Sequence, residues 1–130
     1  DDSPQKFIPF IIEKIKSDVS ILDLTPGLQT RDFIYVKDVV AAFEHVINSI
    51  ELLKQYQNFD IGTGKSSTIK ELATLIKDVA NSSTILNFGG LAYREGEIME
   101  SKVENFELNK IGWEPKYTLR SAFQKIINND

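Results

Sequence analysis

Thr25-Pro26-Gly27-Leu28-Gln29-Thr30-Arg31-Asp32-Phe33-Ile34-Tyr35-Val36-Lys37-Asp38-Val39-Val40 is the stretch that decides the fold. Thr25-Pro26-Gly27 punctuates the chain as a turn, because proline presets one backbone angle and glycine tolerates the reversed one. Arg31 to Val36 is aromatic and β-branched, which predicts an extended segment. Asp38 predicts a helix start, its carboxylate capping an orphan N–H. Val39, Val40, Phe43, Val46, Ile47, Ile50 and Leu53 then recur at helical spacing, predicting one long amphipathic helix. Turn, strand and helix therefore follow one another within thirty or so residues, the grammar of an α/β domain.

Working outward on the N-terminal side, Val19 to Leu24 reads as a short strand. Phe7, Ile8, Ile11, Ile12 and Ile15 form one apolar stripe of a helix that starts near Pro9 or kinks there. On the C-terminal side, Phe59-Asp60-Ile61 reads as a strand stopped by Gly62-Thr63-Gly64. Thr68-x-x-Glu71 is a capping box opening a helix with Ile69, Leu72, Ala73, Ile76, Val79 and Ala80 on its apolar face. Thr84 to Phe88 is a further strand. Leu91 to Lys102 has no period and reads as a loop. A short helix near Glu104 to Lys110 stops at Gly112, and a last helix after Thr118 carries Leu119, Ala122, Phe123, Ile126 and Ile127. The expectation is a few short strands with about five helices, treated as one domain over residues 1–130.

Composition narrows the function classes. The 130 residues include no cysteine and one histidine, which excludes disulfides, cysteine nucleophiles and zinc–thiolate sites. The net charge of −4 argues against nucleic-acid binding through bulk positive charge. No apolar run approaches a membrane span, and Asp1-Asp2-Ser3 is acidic where a signal peptide would be basic. The expected setting is cytoplasmic.

Few residues carry chemistry on their own. Gly62-Thr63-Gly64-Lys65-Ser66 imitates a phosphate loop, but Phe59 stands where the Walker pattern needs its first glycine, and Ser67 where a dinucleotide loop needs its third. A tight turn is the simpler reading. His45 has no carboxylate at helical spacing on its own face and reads as a surface histidine. Glu95, Glu97, Glu100 and Glu104 do not match a calcium loop, so no metal is expected. Arg31 and Arg94 suit phosphate, since a guanidinium donates two parallel hydrogen bonds. The alternative is that each pairs with a neighbouring acid, Asp32 or Glu95.

The stretch Thr25 to Val40 resembles the substrate-domain signature of the extended short-chain dehydrogenases, the NAD(P)-dependent nucleotide-sugar epimerases, dehydratases and reductases. Asn58-Phe59-Asp60-Ile61-Gly62-Thr63-Gly64, Tyr93-Arg94-Glu95-Gly96-Glu97 and Ile111-Gly112-Trp113-Glu114-Pro115 resemble further landmarks in that family's order. The resemblance implies the C-terminal, substrate-binding portion of a Rossmann-type enzyme. It implies Arg31 and Arg94 as diphosphate contacts and Glu97 as the acid facing the nucleoside ribose, where relatives frequently carry Asp. Phe88-Gly89 with Tyr93 to Ser101 points to the deoxysugar keto-reductase branch.

The family's catalytic tyrosine is followed four residues later by lysine. Tyr35, Tyr56, Tyr93 and Tyr117 are followed at that distance by Val39, Asp60, Glu97 and Ser121, so no catalytic residue and no glycine-rich coenzyme loop is expected here. NAD or NADP would belong to the full-length parent and not to this chain alone. The implied partners are a nucleotide-sugar substrate, an N-terminal Rossmann domain and a second copy in a homodimer. The alternative is a non-catalytic nucleotide-sugar-binding or regulatory module of the same descent.

Overall fold

The computed structural model describes residues 6–128; Asp1-Asp2-Ser3 and the two ends of the expected domain lie outside the described residues. The chain is α/β, with elements α1 (Phe7–Lys16), β1 (Ile21–Leu24), β2 (Thr30–Asp32), α2 (Val36–Asn48), a 3-10 turn (Ile50–Leu52), β3 (Ser66–Thr68), α3 (Ile69–Ala80), β4 (Ile85–Phe88), α4 (Phe106–Lys110) and α5 (Leu119–Asn128). These fall into two compact units.

The first unit holds residues 6–29, Thr68–Met99 and 120–128. Its centre is a parallel pair in which Ile21, Leu22, Asp23 and Leu24 of β1 face Ile85, Leu86, Asn87 and Phe88 of β4. Burial alternates along β1: Leu22 and Leu24 are buried, while Ile21 and Asp23 are exposed. α1 packs on α3, and the buried apolar side chains are Ile11 and Ile15 of α1, Leu72, Ala73 and Ile76 of α3, and Ala122 and Phe123 of α5. The helix α1 starts at Phe7, near Pro9 as expected. Pro9 occupies the first turn, whose N–H groups lack intrahelical partners anyway, and the Phe10 N–H still reaches the Lys6 carbonyl at 3.0 Å. The capping box of α3 is formed: Thr68 Oγ1 accepts from the Glu71 N–H (3.1 Å) and Glu71 Oε2 from the Thr68 N–H (2.8 Å).

The second unit holds Thr30–Ser67 and Glu100–Leu119. Its core is Ala42, Leu108 and Trp113, with Ile34, Val46, Phe59, Ile61 and Ile111 packed around them. β2 pairs with β3, a strand the sequence reading missed because Ser66-Ser67-Thr68 carries none of the usual apolar signal. The expected strand Phe59-Asp60-Ile61 is absent, because no neighbouring strand among the described residues offers hydrogen bonds to it; its two apolar side chains pack into the core instead.

Strand pairing after Arg31 ends at Asp32 while the backbone is still extended at Tyr35, and the long helix predicted to Leu53 ends at Asn48, continuing as the 3-10 turn. Asp38 is not the cap of α2. The cap position is Tyr35, and Asp38 sits within the first turn, 1% exposed, where its carboxylate accepts the Lys116 N–H (2.9 Å) and Tyr117 N–H (3.1 Å). A buried carboxylate requires such donors, and this pair ties the segment before α5 to α2. His45 is not fully exposed either. Half-buried, it donates from Nε2 to the Ile111 carbonyl at 2.5 Å, which fixes the end of α4 against α2.

Candidate functional site

In open α/β sheets ligands bind beyond the carboxyl ends of the parallel strands. Two loops leave that end of the β1–β4 pair. The loop after β1 is fastened to the start of α3, with Lys70 N–H donating to the Gly27 carbonyl (2.9 Å) and Ile69 N–H to the Gln29 carbonyl (3.0 Å). The loop after β4 folds back on β1, since the Gly89 and Leu91 N–H groups both donate to the Leu24 carbonyl, at 2.9 and 3.0 Å. Tyr93 joins the two loops: its hydroxyl oxygen accepts the Leu28 N–H at 3.0 Å.

The second loop then makes a tight reversal. Glu97 N–H donates to the Arg94 carbonyl at 3.2 Å, and Gly96 takes φ +74° at the third position of that turn. A side chain there would be strained, so glycine is what permits the reversal. Arg94 and Glu97, widely separated in role by the sequence reading, thus stand at the two ends of one β-turn. Arg94 is exposed and its guanidinium makes no ion pair or side-chain hydrogen bond among the described residues, so the expected alternative pairing with Glu95 does not form. Glu97 is half-buried.

Arg31 belongs to the second unit, on β2, and donates from Nη1 to the Thr30 carbonyl at 2.8 Å. The same carbonyl accepts the Ser101 N–H at 3.2 Å. Asp32 turns toward Gly62-Thr63-Gly64. Its carboxylate accepts the Thr63 N–H (3.0 Å to each oxygen), the Gly64 N–H (2.8 Å) and the Thr63 hydroxyl (2.6 Å). This explains the imitation of a phosphate loop. The turn does present a concave set of backbone N–H groups of the kind that holds anions, and the chain fills it with its own carboxylate. Gly62 admits that carboxylate: a Cβ there would lie 2.8 Å from Asp32 Oδ2 and 2.5 Å from Val103 Cβ.

The anchoring role of Asp32 and the bridging role of Tyr93 escaped the sequence reading. Both residues lie inside quoted motifs, but nothing in a linear motif states which side chain meets which backbone. Among the described residues no group of three or more acids or histidines is arranged to hold a metal ion, and no helix is long and apolar enough to cross a membrane.

Comparison with known proteins finds relatives of one family. The profile of the NAD dependent epimerase/dehydratase family matches residues 1–62. CDP-abequose synthase from Salmonella muenchen is 35% identical over 98% of this chain, which covers 43% of that protein. The solved UDP-N-acetylglucosamine 4-epimerase from Methanobrevibacter ruminantium, in complex with UDP-N-acetylmuramic acid, is 29% identical with a TM-score of 0.73, over 99% of this chain and 42% of that one. The GDP-mannoheptose C4 reductase from Campylobacter jejuni, solved with NADP bound, shares the fold alone, with a TM-score of 0.76 at 18% identity over 93% of this chain and 43% of that one. The chain spans about two-fifths of the length of the relatives it matches. With a substrate-domain motif order, an α/β fold and relatives of this one kind, the chain belongs to the NAD dependent epimerase/dehydratase family of extended short-chain dehydrogenases.

Proposed function

We propose that residues 1–130 form the C-terminal, substrate-gripping domain of an NAD(P)-dependent enzyme that epimerises, dehydrates or reduces a nucleotide-linked sugar. The observation that carries the reading is the turn after β4 in which the Glu97 N–H closes on the Arg94 carbonyl, with Arg94 exposed and its guanidinium without an ion pair among the described residues. Arg94 and Arg31 supply two cations for a diphosphate, and each can donate a planar pair of hydrogen bonds. The Glu97 carboxylate accepts from vicinal ribose hydroxyls. When bound, the nicotinamide coenzyme accepts or donates the hydride; the residues described here hold the nucleotide end so that the sugar is aimed at it. The CDP-abequose and deoxysugar-reductase relatives favour a keto-sugar reductase acting on a deoxysugar nucleotide.

The relatives are more than twice as long as this chain, and the reading assigns the coenzyme loop and the Tyr-x-x-x-Lys pair to that additional length. The 130-residue chain alone is then expected to show no hydride transfer with any nucleotide sugar plus NAD(P). Calorimetric titration of the full-length protein with CDP, dTDP and UDP tests the grip. Arg31→Ala and Arg94→Ala should each weaken binding of the preferred diphosphate by about tenfold to a hundredfold. Lysine at either position should restore only part of the loss. Unchanged affinity in both alanine variants would assign these arginines a structural role.

A further inference from the structure

We infer that Asp32 is a positioning residue for Arg31, an assignment that rests on the proposed diphosphate grip. β2 is only three residues long, and a strand so short is not held in one roll about its own axis by ladder bonds alone. Successive side chains of a strand point to opposite faces, so whatever fixes the face of Asp32 also fixes the face of Arg31. Asp32 is fixed by two backbone N–H groups and one hydroxyl from Gly64 and Thr63, at 2.6–3.0 Å. Thr63 Oγ1 also accepts the Lys65 N–H at 3.1 Å, so the hydroxyl that donates to Asp32 is itself held. The turn cannot drift away, because Asn105 Nδ2 donates to the Gly62 carbonyl at 3.1 Å and Asn105 is buried. The carboxylate is therefore a clamp with several independent anchors, one residue from the guanidinium it orients. Loss of the negative charge removes the reason for these donors to converge, since an amide at this position would turn an NH2 group toward some of them.

The test is a double-mutant cycle on the full-length protein, read by calorimetry with CDP, dTDP and UDP. Asp32→Asn should weaken diphosphate binding by about tenfold while Thr63→Ser stays near wild type, and Thr63→Val should lose several-fold, the loss expected for one charge-assisted hydrogen bond. On the Arg31→Ala background, Asp32→Asn should cause little further loss, because Asp32 acts through Arg31. An equal loss on both backgrounds would overturn the assignment and leave Asp32 as a fold-stabilising residue only. A weakened Arg31→Ala beside an unaffected Asp32→Asn would also overturn it, with the grip intact. An unaffected Arg31→Ala would remove the grip by Arg31 and this inference with it. If Asp32→Asn does not fold, the same cycle with Thr63→Val carries the test.

Discussion

Asp38 and Gly62 show how much a single position decides. Asp38 is buried and satisfies two backbone N–H groups, so Asp38→Ala strands both donors and should cost about 2–4 kcal/mol in urea unfolding, whereas Asp38→Asn keeps one acceptor and should cost less. Gly62→Ala should also destabilise, because its Cβ must push Val103 or Asp32 aside; a midpoint equal to wild type would show that the turn has room to move. The sequence reading named Asp38 as a helix cap. It recognised the right residue type near a helix start, but a cap and a first-turn acceptor differ by three positions and by a partner almost eighty residues away. Arg31, Arg94 and Glu97 were legible as candidates through their motifs. That Arg94 and Glu97 close one turn was also legible in principle, from Gly96 between them.

At the scale of elements, the capping box of α3 makes a pH-dependent contribution. The Thr68 backbone N–H, and then its side chain, favour ionised Glu71 and hold its pKa below the ordinary glutamate value, with burial opposing slightly. The unfolded chain therefore binds the proton more readily, and the stabilisation is present above the usual glutamate range and is lost as pH falls through the depressed folded value. Asp18, lowered by the Ser82 hydroxyl and Ser83 N–H, and Glu107, lowered by Lys110, act in the same direction. Glu71→Gln keeps an acceptor for the Thr68 N–H but cannot titrate, so it should flatten the acid limb of the unfolding midpoint against pH; an unchanged limb would refute the linkage. Capping boxes and amphipathic stripes were readable because their causes are local. The strand at Phe59–Ile61 was misread because strand formation depends on a neighbour, and β3 was missed because Ser66 to Thr68 pairs through backbone alone.

On the scale of the whole molecule, α2 and the 3-10 turn that follows it present an apolar stripe that no described residue covers. Val36, Val40, Phe43, Ile47 and Ile50 recur every three or four residues and are all exposed, from 52% at Val40 to 68% at Ile50. An uncovered stripe of this size is a surface for further protein. We propose that the additional length of the full protein covers it, and that the 130-residue chain alone self-associates through it. Light scattering should show dimers or larger species for the chain, and Phe43→Glu with Ile47→Lys should return it to monomer; a monomeric wild-type chain at high concentration would contradict this. The central claim, that Arg31 and Arg94 grip a nucleoside diphosphate, is tested most directly by a crystal structure of the full-length protein with CDP, dTDP or UDP bound. The account predicts both guanidinium groups within about 2.7–2.9 Å of diphosphate oxygens, and a diphosphate bound with neither arginine in contact would contradict it.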